Sequence, residues 1–282
     1  MPEPDAAPVV AFLSDYGLAD EFVGVCKAVV LGLAPNVRFV DLSHEIPPHD
    51  VRAGALTLVR AVQYLPEGTI VLAVVDPGVG TERRLLGVEC EHLTLVGPDN
   101  GLLAPAVALA GGARRVVELT NEAYRLPAPG PTFAGRDILA PAVAQLALGA
   151  DLGQLGGAMD TSSLVPGLLG LPQVEDGGAL SAQVWWVDRF GNCQLNVGPD
   201  DLEALGARPG ASVEVRLGSG GSRAARWVGT YADARASELV LVVDSYGMLA
   251  LALDRRSAAA EHGLRAGSSV TLVPPGAAAP SG

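Results

Sequence analysis

Along the first half of the chain, short unbroken apolar runs alternate with longer runs of helical period. VVAFLSD, from Val9 to Asp15, is continuously apolar, rich in β-formers and too short for a buried helix, and it predicts a buried strand. EFVGVCKAVVLGLAP places Phe22, Cys26, Val29, Val30 and Leu33 at helical spacing and stops at Pro35. The pattern then repeats: VRFVDLS (from Val37) is a second strand, DVRAGALTLVRAVQYLP a second amphipathic helix and TIVLAVVD (from Thr69) a third strand. LLGVECEHLTLVG, GLLAPAVALAGG and DILAPAVAQLALG continue the alternation. Strands alternating with helices imply a parallel sheet joined by right-handed crossovers, with helices on both faces. The expected fold class is α/β, beginning with a parallel-sheet, Rossmann-like domain over residues 1–172.

The periodic signal stops between Leu164 and Ala182, where PGLLGLPQVEDGGALSA is dense in Gly and Pro. Beyond it QVWWVDRFGNCQLNV, ASVEVRL, ARWVGTYA, ELVLVVDSYGMLALAL and SVTLVPP read as short strands separated by turn residues. That rhythm predicts a smaller all-β domain over 173–282, an antiparallel barrel or sandwich. RFGN at 189–192 reads as a hairpin turn, although Phe190 is bulky for such a place, and the closing PGAAAPSG is expected to fray.

Composition narrows the function classes. With 282 residues, 49% of them hydrophobic, the chain can bury a substantial core. A net charge of -12 without a Lys/Arg stripe argues against a nucleic-acid partner. No apolar run approaches the roughly eighteen residues of a membrane span, and MPEPDAAP carries neither a basic leader nor an apolar signal core. A cytoplasmic location without a membrane partner is therefore expected. Cys26, Cys90 and Cys193 lie far apart with no CxxC pair, which predicts packed thiols instead of a disulfide framework or a zinc site.

In an open parallel sheet, ligands bind beyond the carboxyl ends of the strands. Two predicted strands end on aspartate, Asp15 and Asp76, each closely followed by glycine. One such Asp is as readily a turn or cap residue, but two together form a candidate site. DPGVGTERR, from Asp76 to Arg84, sets a carboxylate and two guanidinium groups around a Pro/Gly turn. Arg83 can fold back on Asp76, an arrangement suited to holding and polarising a water, and an ordinary loop salt bridge is the competing account. GVG lacks the rest of a dinucleotide fingerprint, and no P-loop occurs. PTFAGRD at 131–137 opens a predicted helix whose N–H groups could meet a carboxylate, with Asp137 as ligand or cap. His44 and His49 flank EIPP, where Pro47 and Pro48 forbid a helix, so they read as loop histidines and not as metal ligands. GxSxG is absent. In the second half Phe190, Asn192, Tyr231 and Ser245 sit at turns and could frame a planar base, although core packing and turn chemistry explain them equally well.

FLSDYG, DEFVG, PPHDV, VVDPGVG, GPDNGLL, PTFxGRD, FGN and DSYG follow one another over nearly the whole chain. In that order they resemble the S-adenosyl-L-methionine hydroxide adenosyltransferase family, relatives of the fluorinase and chlorinase. The resemblance implies hydrolysis of S-adenosyl-L-methionine to adenosine and L-methionine, with no cofactor besides that substrate. It also implies a homotrimer whose ligand lies between one subunit's first domain and its neighbour's second. By the same resemblance Asp15 grips the ribose hydroxyls, Asp20 helps hold the amino-acid portion, and Thr132 and Phe133 belong to the substrate site. Phe190 and Asn192 would contact the adenine and methionine ends from the neighbouring subunit, with Tyr231 near the base and Ser245 on the methionine carboxylate.

Asp76 stands where the halogenases carry a tyrosine, and Arg83 completes a pair that the water-using members share. The departure is Ala134, because the hydrolytic members read PTFHGRD with a catalytic histidine there. An alanine methyl neither takes nor gives a proton, so this chain is expected to bind the substrate and to hydrolyse it slowly. Two other readings stay open: a halide-using 5′-adenosyl transferase, opposed by the charge of Asp76, and a non-catalytic sensor of S-adenosyl-L-methionine or adenosine, which Ala134 permits. A nicotinamide dehydrogenase would need the glycine fingerprint that is missing.

Overall fold

The computed structural model describes residues 7–218 and 220–273. The tail expected to fray, and the first six residues of MPEPDAAP, lie outside the described residues. The chain divides into two compact units between Leu169 and Gly170, where the sequence sets a boundary at 172/173.

The first unit runs β1 (Val9–Ser14), α1 (Phe22–Leu33), β2 (Arg38–Ser43), α2 (Val51–Val62), β3 (Thr69–Val74), β4 (Leu85–Glu89), β5 (Leu93–Pro98), α3 (Ala104–Leu109), β6 (Arg115–Glu118), α4 (Ala140–Ala147) and β7 (Gly157–Met159). Its sheet has the order β2-β1-β3-β5-β4-β6-β7. β2, β1, β3 and β5 are parallel neighbours, whereas β4, β6 and β7 join antiparallel. The all-parallel expectation is thus corrected within LLGVECEHLTLVG. Cys90, Glu91 and His92 turn the chain between β4 and β5, with the Cys90 N–H donating to the Leu93 carbonyl. So short a link closes a hairpin and is far below the length of a parallel crossover.

Helices cover both faces, which is why β1 is apolar up to Ser14 and β3 from Ile70 onward. Val10, Phe12, Ile70, Leu72 and Val74 share one core with Val23, Cys26 and Val30 of α1 and Val143 of α4. On the other face α2 approaches so closely that a Cβ on Gly54 would press on Val75 and Leu102. The buried stripe of α1 is Val23, Cys26 and Val30; Leu33 of the expected stripe is exposed, and Phe22 turns to other rings described below.

The second unit contains β8 (Gln173–Val174), β9 (Leu180–Val187), β10 (Cys193–Leu195), α5 (Pro199–Ala204), β11 (Ser212–Leu217), β12 (Ser222–Val228), β13 (Val240–Val243), β14 (Leu249–Ala252), α6 (Ala258–His262) and β15 (Ser269–Val273). The order β10-β14-β13-β12-β11-β15-β9 closes on itself through β9–β10, so these seven strands form a barrel, and β8 adds to β9. Alternate residues such as Val184, Val213, Val215, Leu241 and Leu251 fill it. The antiparallel expectation is corrected at one place: β12 and β13 are parallel. Residues 229–239 between them carry the chain back to the starting end, which a tight turn cannot do.

Among the described residues no helix is long and apolar enough to cross a membrane. Cys26, Cys90 and Cys193 are free and buried.

Candidate active site

β1 and β3 lie side by side in register, Ser14 beside Val74, so Asp15 and Asp76 leave the sheet at one place. The Asp15 N–H donates to the Val74 carbonyl at 3.3 Å. A cleft of about 500 Å³ opens there, and its wall includes Asp15, Tyr16, His49, Asp76, Thr132, Phe133 and Ala134.

The loop after Asp76 folds back because Gly80 takes φ +84°, a left-handed conformation natural to glycine. Arg83 returns to Asp76: its Nε donates to both carboxylate oxygens at 2.9 Å, and its Nη2 donates to Oδ2 at 2.5 Å. Only 6% of the Asp76 side chain and 15% of the Arg83 side chain are exposed. Such a fork fixes the plane of the carboxylate as well as its charge environment.

Asp15 is held from another direction. Its Oδ2 accepts the His49 N–H at 2.9 Å, and His49 sits at φ +67°, unusual for a residue with a Cβ. His49 is thus part of the cleft wall, a role its reading as an ordinary loop histidine missed. His44 does serve the loop. Its Nδ1 lies 2.8 Å from Ser14 Oγ, its Nε2 lies 3.1 Å from Asp41 Oδ1, and its carbonyl accepts the Gly17 N–H at 2.7 Å. This Ser-His-Asp line is no nucleophile array, because Ser14 is fully buried; it ties the Asp15–Tyr16 turn to β2. Among the described residues no three His, Cys, Asp or Glu side chains converge as a metal would require.

Tyr16, also missed from sequence although it stands in FLSDYG, meets Phe22 and Phe133 in a three-ring cluster with centroid separations of 5.6, 5.7 and 5.2 Å. Burial pushes its phenol far above the usual value, with Cys26 and the carboxylates of Asp15 and Asp76 adding to the effect. It therefore stays a neutral hydroxyl at the cleft. Arg136 lies over the Phe133 ring at 4.9 Å.

PTFAGRD differs from its expected form. Residues Gly135–Leu139 make a π-helical turn that runs into α4. The N–H groups of Arg136 and Asp137 both donate to the Phe133 carbonyl at 3.0 Å, so they are not available to a ligand carboxylate. Asp137 neither caps the helix nor faces the cleft; it pairs with Arg136 at 2.5 Å. Ala134, 6% exposed, lies on the wall of the cleft and also on that of a second cavity of about 360 Å³ that Arg83 helps to line. Asp20 is exposed in the turn before α1, off the cleft wall.

The remaining candidates gather in the second unit. Asp188 Oδ1 accepts the N–H groups of Phe190 and Asn192 at 2.8 and 2.9 Å, and Asn192 Nδ2 donates to Asp188 Oδ2 at 2.8 Å. Asp244 builds a like turn by accepting from the Tyr246 and Met248 N–H groups at 2.8 and 3.1 Å, with Ser245 exposed on it. Partial burial, then the nearby charges of Asp188 and Asp244, raise the Tyr231 phenol above its ordinary value. The three turns therefore share one end of the barrel. Phe190 is 74% exposed and Tyr231 44%, an aromatic surface with no partner in its own chain among the described ring contacts.

Residues 10–156 match the model of the SAM hydroxide adenosyltransferase N-terminal domain, and residues 182–271 match that of its C-terminal domain. A relative from Salinispora tropica, named (R)-S-adenosyl-L-methionine hydrolase, is 44% identical over 94% of this chain and 97% of its own length. A fluorinase from an Actinoplanes species is 30% identical over 94% of this chain and 97% of its own. The crystal structure of a conserved protein from Thermotoga maritima superposes with a TM-score of 0.85 at 31% identity, covering 94% of this chain and 99% of that one. With both domain models matched in order, this chain belongs to the SAM hydroxide adenosyltransferase family.

Proposed function

We propose that this chain hydrolyses S-adenosyl-L-methionine to adenosine and L-methionine, and that Ala134 makes it slow. The observation that carries the reading is the buried Asp76–Arg83 fork, whose Asp76 lines the same cleft as Ala134. The water oxygen attacks ribose C5′ in line with the departing sulfur. As the C5′–O bond forms, the C5′–S bond breaks and its electron pair returns to sulfur, leaving the neutral thioether of methionine. A sulfonium needs no acid to depart, so neither a metal nor a cofactor is called for. Water is the weak partner: Asp76, oriented by Arg83, holds it and draws its proton. An imidazole at 134 would complete that shell, and its loss costs on the order of 10² to 10⁴ in rate.

Asp15 takes the ribose hydroxyls in this reading, Thr132 and Phe133 the walls, and Asp20, exposed in the turn before α1 and off the cleft wall, helps hold the amino-acid portion from outside the cleft. Phe190, Asn192, Tyr231 and Ser245 close over the substrate from a neighbouring copy in a homotrimer, which accounts for the exposed aromatic surface at one barrel end. We place this chemistry in the cytoplasm. A halide in place of water is disfavoured by the Asp76 carboxylate, which repels an anion at short range.

Chromatography of adenosine formed from either sulfur epimer of S-adenosyl-L-methionine tests the proposal, and both are needed because the Salinispora relative is named for the (R) form. Ala134→His is expected to raise turnover by about a hundredfold or more. No gain would remove the histidine argument. A halonucleoside formed in chloride or fluoride would replace hydrolysis by halide transfer. Binding without turnover even in Ala134→His would favour a sensor.

A further inference from the structure

The loop that presents Asp76 and Arg83 begins and ends on one short turn, Asp99–Asn100. The parallel ladder of β3 and β5 runs to the pair Leu72 and Val96. Continued in register, it would set Val74 against Pro98, which has no N–H to offer. The ladder is thus cut short before Val75, and the Asn100 side chain takes over there: its Nδ2 donates to the Val75 carbonyl at 2.9 Å. Its Oδ1 accepts the Leu102 N–H at 3.2 Å, so the two ends of the amide are distinguished by their partners. At the far end of the loop the Asp99 N–H donates to the Arg84 carbonyl at 3.0 Å, and its carboxylate takes the Arg84 Nη2 and, at 2.9 Å, the Val165 N–H. Both stems of the loop are pinned by adjacent residues, and the Asp76–Arg83 fork closes it across the top.

The Val75 carbonyl and the Asp76 nitrogen belong to one planar peptide unit. Holding that oxygen therefore fixes the plane from which the Asp76 side chain departs. From this we infer that Asn100 is a positioning residue for Asp76, acting through the Val75 carbonyl; the inference rests on the proposed role of Asp76 in holding water. Asn100 itself is not on the cleft wall. A displacement of its hydrogen bond is felt at the attacking water only through Asp76.

The test is a double-mutant cycle in the full chain, following kcat and KM for adenosine formation in Asn100→Ala, Asp76→Asn and the double variant. Asn100→Ala is expected to lower kcat by about tenfold to a hundredfold with KM within about twofold, and to have no further effect once Asp76 is Asn. An equal loss in both backgrounds would mark a merely structural role and overturn the inference, as would no loss in either. Full activity of Asp76→Asn would instead overturn the role of Asp76 on which the inference rests. Asn100→Ser covers the case of misfolding, since its hydroxyl can still accept the Leu102 N–H but is too short for Val75. It is expected to repeat the loss. Proton exchange at Arg83 Nε, read by NMR without turnover, should quicken in either variant; unchanged exchange in both would count against the inference.

Discussion

Arg83 Nε stands 2.9 Å from each oxygen of Asp76, so the guanidinium grips the carboxylate along one edge. An ammonium group is a point charge and cannot reproduce that fork. Arg83→Lys is therefore expected to keep the protein folded while lowering the rate of adenosine formation by about a hundredfold. Wild-type turnover in Arg83→Lys would show that charge alone suffices.

A Cβ on Gly135 would overlap the Tyr16 hydroxyl, and the surrounding rings of Phe22 and Phe133 leave that phenol little room to yield. Gly135→Ala should cost about 1–3 kcal/mol, as overpacked interiors do. The thermal midpoint should fall accordingly and recover in part when Tyr16→Phe is added. A Gly135→Ala midpoint equal to that of the parent would refute the contact.

Arg226 donates to Glu238 through Nε and Nη2, each at 2.8 Å, and so ties the 229–239 crossover that carries Tyr231. The Arg226 guanidinium, followed by the Arg235 N–H, holds the Glu238 carboxyl down to about 2 from its ordinary 4.5. A depressed acid stabilises the fold above its unfolded value and loses that contribution as pH falls through the folded one. The parent should thus melt above Glu238→Gln at pH 7, and the gap should close as pH falls from about 4.5 toward about 2. A gap that widens on acidification would reverse the assignment.

Burial pushes the thiols of Cys26, Cys90 and Cys193 up to about 12, 11 and 12. A buried thiol that holds its proton is a poor nucleophile. Folded protein at pH 8 should leave a chromogenic disulfide reagent unreacted, and denatured protein should react at all three cysteines. Rapid reaction of the folded chain would place a thiol at the surface.

The sequence by itself determined the elements whose signal is local. VVAFLS and TIVLAV become strands because both faces of β1 and β3 are covered, and an unbroken apolar run is what such a strand requires. DPGVGTERR was legible as a returning loop because its glycines and its charges lie within a few bonds of one another. The helix stripe of α1 was read with the right period but only in part with the right face, since the partners of a face come from distant segments.

Only the tertiary structure decided which strands pair and in which direction. The brevity of Cys90–Glu91–His92 makes β4 antiparallel, the length of 229–239 makes β12 and β13 parallel, and the β9–β10 pairing closes the barrel. Tyr16 and His49 reach the cleft, and Asn100 reaches Val75, through contacts between segments far apart in the chain. Period and turn chemistry are written in neighbouring residues, whereas the direction of a strand's partner and the target of a side chain depend on chain closure and burial, which no short stretch of sequence contains.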